Sequence, residues 1–286
     1  MPNPQPPVLL YDNVFNRVRQ YQSATLAAIS TATGTDVRGL SSGRRERASW
    51  QAAAASAFSY VSSDLGAGVA KVVDSVWIDR GHNLWGLNVE VLADDGAGGS
   101  QVNTAHLQVP ALNGDGSFTP GGDPTTGMAV TEEGALYAFF PALAARRRFF
   151  VYIVENAQPR LTGVILGQRV QLPIFSTTMD EDAGALAGIA NDESDTGLLA
   201  SSRGYDYRTL QLTYANIGST TYDNTVRQMR ELIFARKQCC FIATNYGTYP
   251  ARGWLYKHAG TTWSAPTSGV LRRTAIPFRE VGAQIK

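Results

Sequence analysis

The sequence predicts a mainly β protein built as two successive bodies. Three observations carry that prediction. Apolar and polar residues alternate with a period of two through most of the patterned stretches, segments rich in Gly, Asp and Pro separate them, and only one segment has convincing helical spacing. A chain of 286 residues also exceeds most single cores, so about two domains are expected.

Residues 1–45 are an N-terminal arm and lead-in. Their start, MPNPQPPVLLYDN, is Pro-rich and lacks the basic opening and apolar core of a secretory signal, so it reads as an extended arm that gains order on binding. Residues 46–175 form the first body. Its Ala-rich opening, RASWQAAAASAFSY (47–60), admits a short helix. KVVDSVWI (71–78) and LNVEVLA (87–93) alternate as strands around an HNLWG turn, and the second stops at DDGAGG. LNGDGSFTPGGDPTTG (112–127) has loop chemistry throughout, and a loop this long in a compact domain is functional or mobile. RRRFFVYIVE (146–155) and LTGVILGQRVQLPI (161–174) supply two further apolar β runs.

Residues 176–204 are acidic, small and aperiodic, and read as a linker or extended arm. In the second body, 205–286, YRTLQLTY (207–214) alternates as a strand. DNTVRQMRELIFARK (223–237) is the one helix: Asp223 or Asn224 caps its start, Val226, Met229, Leu232 and Ile233 make an apolar stripe, and Arg236 and Lys237 sit where the dipole favours cations. QCCFIATNY and RRTAIPFREV complete the unit as strands.

Composition excludes several partners. The net charge of +1 offers no field for nucleic acid or an anionic membrane, and no apolar run reaches the roughly 20 residues of a membrane span. Charged residues make up 17% of the chain against about 25% on average, which suggests that neighbouring subunits cover part of the surface. Cys239 and Cys240 are adjacent, a spacing that strains an internal bridge, so both are read as reduced, as in a protein made in a cytosol.

The motifs of common catalysis are missing. There is no G-x-S-x-G elbow, no phosphate-binding G-x-x-x-x-G-K-[ST] loop and no H-E-x-x-H. His82, His106 and His258 have no ligand partner at a metal spacing. The acidic run from Asp180 puts Ala185 at the sixth position and Asn191 at the twelfth, where a Ca²⁺ loop needs Gly and Glu. Arg44, Arg45 and Arg47, like Arg146 to Arg148, are read as forming ion pairs rather than binding phosphate; strand alternation turns Arg147 away from its neighbours, so one of that trio is paired inside or at an interface.

Trp50, SSDLG (62–66), VVDSVWIDRG (72–81), LNVEVLADDG (87–96), ARRRFFVYIV (145–154) and VILGQRVQL (164–172) together resemble a discoidin-type domain, the eight-stranded jelly roll of the galactose-binding-like superfamily. The I-D-R-G-H-N-L turn is similar to the version of that jelly roll in tail and virion structural proteins of tailed bacteriophages. In that setting His82 and Asn83 stabilise the turn by hydrogen-bonding backbone groups of the turn itself, with Leu84 and Trp85 packed beneath. The second half is similar in outline to the tail-tube-like domain of siphophage distal tail proteins, on Arg208, Leu210, Leu212, Tyr214, the helix 223–237, Phe241, Ile242, Ile276, Phe278, Glu280 and Val281. It departs from them in placing this domain after the jelly roll.

The resemblance implies a jelly-roll β-sandwich followed by a smaller tail-tube-like β domain with one helix. It implies a non-enzymatic, ring- or tip-forming component of a phage tail, assembled in the bacterial cytoplasm. The partners would be copies of itself and other tail proteins, with no cofactor and no metal. The alternative is a module that binds carbohydrate or a host receptor on loops at one end of the sandwich. There Trp85, Trp77 and Tyr137 are the candidate aromatic platforms, with Asp94 and Asp95 as polar partners.

Overall fold

Period-two alternation decides which face of each strand is buried. The computed structural model describes residues 8–15, 25–33, 35–37, 40, 50–95, 103–154, 158–171, 179–187, 191–193, 199–201, 205–218, 220, 240–244, 252–258, 263–268 and 271–280. The chain divides into two compact units, Met1–Leu172 with Cys240–Trp254, and Pro173–Cys239 with Leu255–Lys286. Both are built from antiparallel strands, and the first is a β-sandwich of the jelly-roll type.

The strands of the first unit are β1 (Val8–Tyr11), β2 (Thr25–Ala28), β3 (Trp50–Gln51), β4 (Ser59–Asp64), β5 (Lys71–Ile78), β6 (Asn88–Asp94), β7 (Asn103–Gln108), β8 (Ala129–Val130), β9 (Leu136–Arg146), β10 (Arg148–Val154), β11 (Arg160–Leu161) and β12 (Val164–Gln171). One sheet has the order β2-β4-β10-β6-β7, and a second run has β1-β12-β5-β9-β8. Every other residue of β4 and β10 points inward: Val61, Phe149, Val151 and Ile153 join Val89 and Val91 of β6 and Val76, Ile78, Leu136, Ala138 and Leu166 of the second sheet in one core. Each such Val, Leu, Ile or Phe side chain contributes about 1.5–3 kcal/mol by leaving water.

Three expectations change here. Val8–Tyr11, expected in an extended arm, is a strand buried along its length. It pairs with β12 on one side and with Cys240–Thr244 on the other, through Val8–Ala243, Leu9–Ile242 and Leu10–Phe241. An apolar VLLY run gains more from two ladders and a core than from solvent, and the preceding prolines hide that gain in the sequence. β12 presses so closely on β1 that a Cβ at Gly167 would collide with the Tyr11 carbonyl. Second, the Ala-rich opening forms no helix among its described residues: Trp50 is drawn into the core, its indole Nε1 donating to the Ser30 carbonyl at 3.0 Å, and Ser59 already belongs to β4. Third, the unit that holds Cys240–Thr244 is the first, so the division is not contiguous in sequence.

In the second unit, β13 (Met179–Ala187) pairs with β16 (Tyr205–Gly218), and β16 pairs with β20 (Leu271–Glu280). β14 (Asn191–Glu193) pairs with β15 (Leu199–Ser201). β20 also takes β19 (Trp263–Ser268), and its end pairs with Tyr256–His258 of β18 (Arg252–His258). Cys240–Thr244 is β17. Leu210, Leu212 and Tyr214 lie opposite Phe278, Ile276 and Thr274, and all six are buried. The segment expected as a linker is, over Met179–Ala187, a ladder strand: its backbone groups find partners in β16, whatever the polarity of its side chains. The expected helix 223–237 lies outside the described residues.

Candidate binding surface

The HNLWG turn is fastened from three sides. His82 is buried, its Nδ1 accepting from the Leu84 N–H at 3.1 Å, so the proton sits on Nε2 and is donated to the Gly134 carbonyl at 3.0 Å. Burial pushes this imidazole down to about 4, the bond to Gly134 opposing the shift and the Arg160 guanidinium adding to it. Asn83 donates to the Gln158 carbonyl at 3.0 Å and accepts from the Arg160 N–H at 2.6 Å. The two polar residues thus bond backbone groups, mostly of neighbouring segments, and tie the turn to 134 and 158–160.

Leu84 is fully buried, and Trp85 packs on the core while its ring lies parallel to Phe118, 5.3 Å away and 6° from coplanar. His82 closes in at 4.7 Å. Phe118 comes from the 112–127 loop, whose polar groups bond one another: Ser117 donates to Asp115, Thr125 to Asp123, and Asn113 to Ser117. Those bonds hold both aspartates below the usual carboxylate range.

The other expected site residues do not converge there. Trp77 and Tyr137 sit opposite each other on β5 and β9 and are 1% and 0% exposed, so neither offers a platform to a ligand. Neither belongs to the main core cluster, and both are buried. Asp94 is 5% exposed and is gripped by Arg148 through two bonds, Nε–Oδ1 at 2.6 Å and Nη2–Oδ2 at 2.8 Å. Asp95 is exposed beside it. Both lie at the far end of β6 from Trp85, roughly 20 Å away at the usual rise of a strand.

What the structure does assemble is an aromatic cluster on the outer face of the five-stranded sheet. The inward turn of Phe149, Val151 and Ile153 sends Phe150 and Tyr152 outward, and register sets Tyr152 beside Tyr60 and Glu90, and Phe150 beside Ser62 and Leu92. Tyr60 and Tyr152 are 5.0 Å apart at 40°, Phe150 and Tyr152 5.6 Å at 41°, and Tyr60 meets Phe150 edge-on at 5.7 Å and 79°. Phe58, 46% exposed, extends the group 6.2 Å beyond Tyr152. Tyr60, Phe150 and Tyr152 are each half-buried, so part of every ring faces water.

Polar and charged side chains bordering the cluster have partners at short range. Arg148 lies 5.8 Å over the Phe150 ring while bonded to Asp94, Arg147 forks onto Asp64 at 2.6 and 2.8 Å, and His106 meets Glu90 at 2.8 Å. Burial alone raises the Asp64 carboxyl, but the Arg147 bond and the Gly66 N–H outweigh it and hold the group below its usual range. Arg147 and Arg148 thus each form an ion pair, the arrangement expected of this cluster. Among the described residues no three His, Cys, Asp or Glu side chains are placed to share a metal ion.

The sequence reading missed Phe58, Tyr60, Phe150 and Tyr152. A signal was present: F-S-Y and F-V-Y put aromatics at i and i+2, the first pair at the entry to β4 and the second within β10, on the face opposite Val61 and Val151.

No family model matches the chain. No curated protein matches it. Solved structures with a similar trace include a Ruminococcus gnavus GH29 fucosidase in complex with fucose, 10% identical over 56% of this chain and 27% of its own, at a TM-score of 0.37. A family 32 carbohydrate-binding module of C. perfringens NanJ in complex with galactose is 12% identical over 51% of this chain and 93% of its own, at 0.35. The lectin domain of lectinolysin complexed with Lewis B antigen is 18% identical over 56% and 98%, at 0.37. The chain thus spans about a quarter of the fucosidase, and likenesses of this size establish no family.

Proposed function

We propose that the first unit is a carbohydrate-binding β-sandwich whose binding surface is the outer face of the five-stranded sheet. The observation that carries this reading is the group of four partly exposed aromatic rings, Phe58, Tyr60, Phe150 and Tyr152, on a rigid face. Sugar rings present flat arrays of C–H groups that stack on aromatic faces, while their hydroxyls seek polar groups at the rim. Glu90, His106 and Ser62 stand at that rim. An exposed aromatic patch without a ligand would be a standing cost in solubility, which a binding role explains.

The test is a glycan array probed with the wild-type chain and with Tyr152→Leu, which keeps apolar bulk over the sheet and removes the ring. Glycan signals that vanish in the variant support the reading. An array without signal, or signals unchanged in a folded Tyr152→Leu, overturns it.

A second reading, assembly into a ring within a phage tail, is favoured by one observation. The two segments of the second unit that resemble distal tail proteins pair with each other, Leu210 with Phe278 and Leu212 with Ile276. Mass measurement in solution tests it: a discrete cyclic oligomer is expected, and a monomer at every concentration contradicts it.

A further inference from the structure

Asp64, Glu90 and Asp94 all stand on the outward face of the five-stranded sheet, and they are not equivalent. Asp64 gives both oxygens to Arg147, and Asp94 gives both to Arg148. Glu90 meets no guanidinium among the described residues. Its partner there is His106, whose Nδ1 lies 2.8 Å from Oε1, and among the described residues Oε2 is left without one.

The chemistry of that bond fixes what Glu90 can do. A carboxylate accepts, so the imidazole proton sits on Nδ1 and points at Oε1. Held at one oxygen, a side chain whose torsions would otherwise wander is set in place, and it keeps its second oxygen as an acceptor. Glu90 is 26% exposed, so that acceptor is reachable.

Register brings it to the rings. Tyr60, Tyr152, Glu90 and His106 form one row across β4, β10, β6 and β7, each about 5 Å from the next. The rings of Tyr60, Tyr152 and Phe150 pack on one another with centroids 5.0 to 5.7 Å apart, so they make one apolar patch. Tyr152 is the ring in register with Glu90, whereas Phe150 is in register with Leu92. Arg148 leaves β10 about 13 Å along the strand from Tyr152 and lies over Phe150 instead.

We propose, resting on the carbohydrate-binding reading, that Glu90 is the specificity-determining residue of this face and that His106 positions it. A sugar lies with its C–H face on Tyr152, and a free hydroxyl at its edge donates to Glu90 Oε2. The ligand class is a single sugar unit that keeps that hydroxyl; a substituent there that can only accept is refused.

The experiment is ligand-observed NMR titration of the full chain at pH 8 with the methyl glycosides of glucose, galactose and mannose. The strongest binder is then compared with its monodeoxyfluoro series, in which fluorine keeps the size of a hydroxyl and cannot donate. One position should weaken binding about tenfold in the wild type, and in Glu90→Ala that derivative and its parent should bind within about twofold of each other. His106→Ala should weaken the parent without lowering the melting temperature, and His106→Asn, whose amide stands where Nδ1 stood, should restore it. No sensitive position, a sensitivity unchanged in Glu90→Ala, or wild-type affinity in His106→Ala each overturns the proposal and leaves the sheet-face reading intact. So does silence from all three glycosides beside an array that binds through Tyr152, since each glycoside carries free hydroxyls. Silence from every glycan removes the reading beneath it.

Discussion

His82 donates from Nε2 to the carbonyl of Gly134, 52 residues away, at 3.0 Å, and it can do so only as the neutral tautomer that keeps Nδ1 free to accept from Leu84. The folded group titrates at about 4 against an ordinary 6.5, so the unfolded chain binds the proton first. Its contribution is complete above pH 6.5 and is lost as pH falls toward 4, by about 3 kcal/mol in total. Unfolding by urea at pH 7 and pH 4.5 should show the wild type losing roughly 2 kcal/mol more than His82→Gln across that interval. Equal losses would mean that His82 is not held neutral.

Gly134 is also where the aromatic stack touches the backbone. It has φ of +79°, and a Cβ there would lie 2.9 Å from Phe118 Cε1. Gly134→Ala should therefore destabilise by about 1–3 kcal/mol through backbone strain and displacement of Phe118. A melting curve shifted down by several degrees is expected, and an unchanged one contradicts the packing described for Trp85.

Arg148 and Asp94 make a lopsided pair, since the carboxylate is the more buried partner. Removing the guanidinium in Arg148→Ala leaves that carboxylate to carry its desolvation without it and should cost about 2–3 kcal/mol. The double variant Arg148→Leu with Asp94→Leu should be more stable than the single one. A double variant less stable than Arg148→Ala would show that the pair itself stabilises the sheet.

Which parts of this architecture the sequence disclosed follows from range. Lys71–Ile78 and Asn88–Asp94 were legible to within one residue because their alternation is local and the HNLWG turn punctuates them. Only the Leu84 N–H bond to His82 lies within the turn, where both His82 and Asn83 were expected to bond; the other partners, Gly134, Gln158 and Arg160, come from distant segments and could not be named without the fold. Val8–Tyr11 was not legible as a strand, because the strands that pair with it come from residues 168–171 and 241–243. The outward-facing aromatic cluster was missed for a related reason. RRRFFVYIVE reads as one apolar run, and whether Phe149 or Phe150 faces the core depends on which side the second sheet packs. Trp77 and Tyr137 failed as platforms by the same ambiguity in reverse, both faces of their sheet being covered.

The most direct measurement is the affinity of one array-positive oligosaccharide for three folded proteins: wild type, Tyr60→Ala with Tyr152→Ala, and Trp85→Ala. If the outer sheet face holds the sugar, the double variant loses at least tenfold, about 1.4 kcal/mol, while Trp85→Ala stays within twofold of wild type. Loss of binding in Trp85→Ala with full affinity in the double variant would place the sugar at the loop end and contradict the sheet-face surface outright.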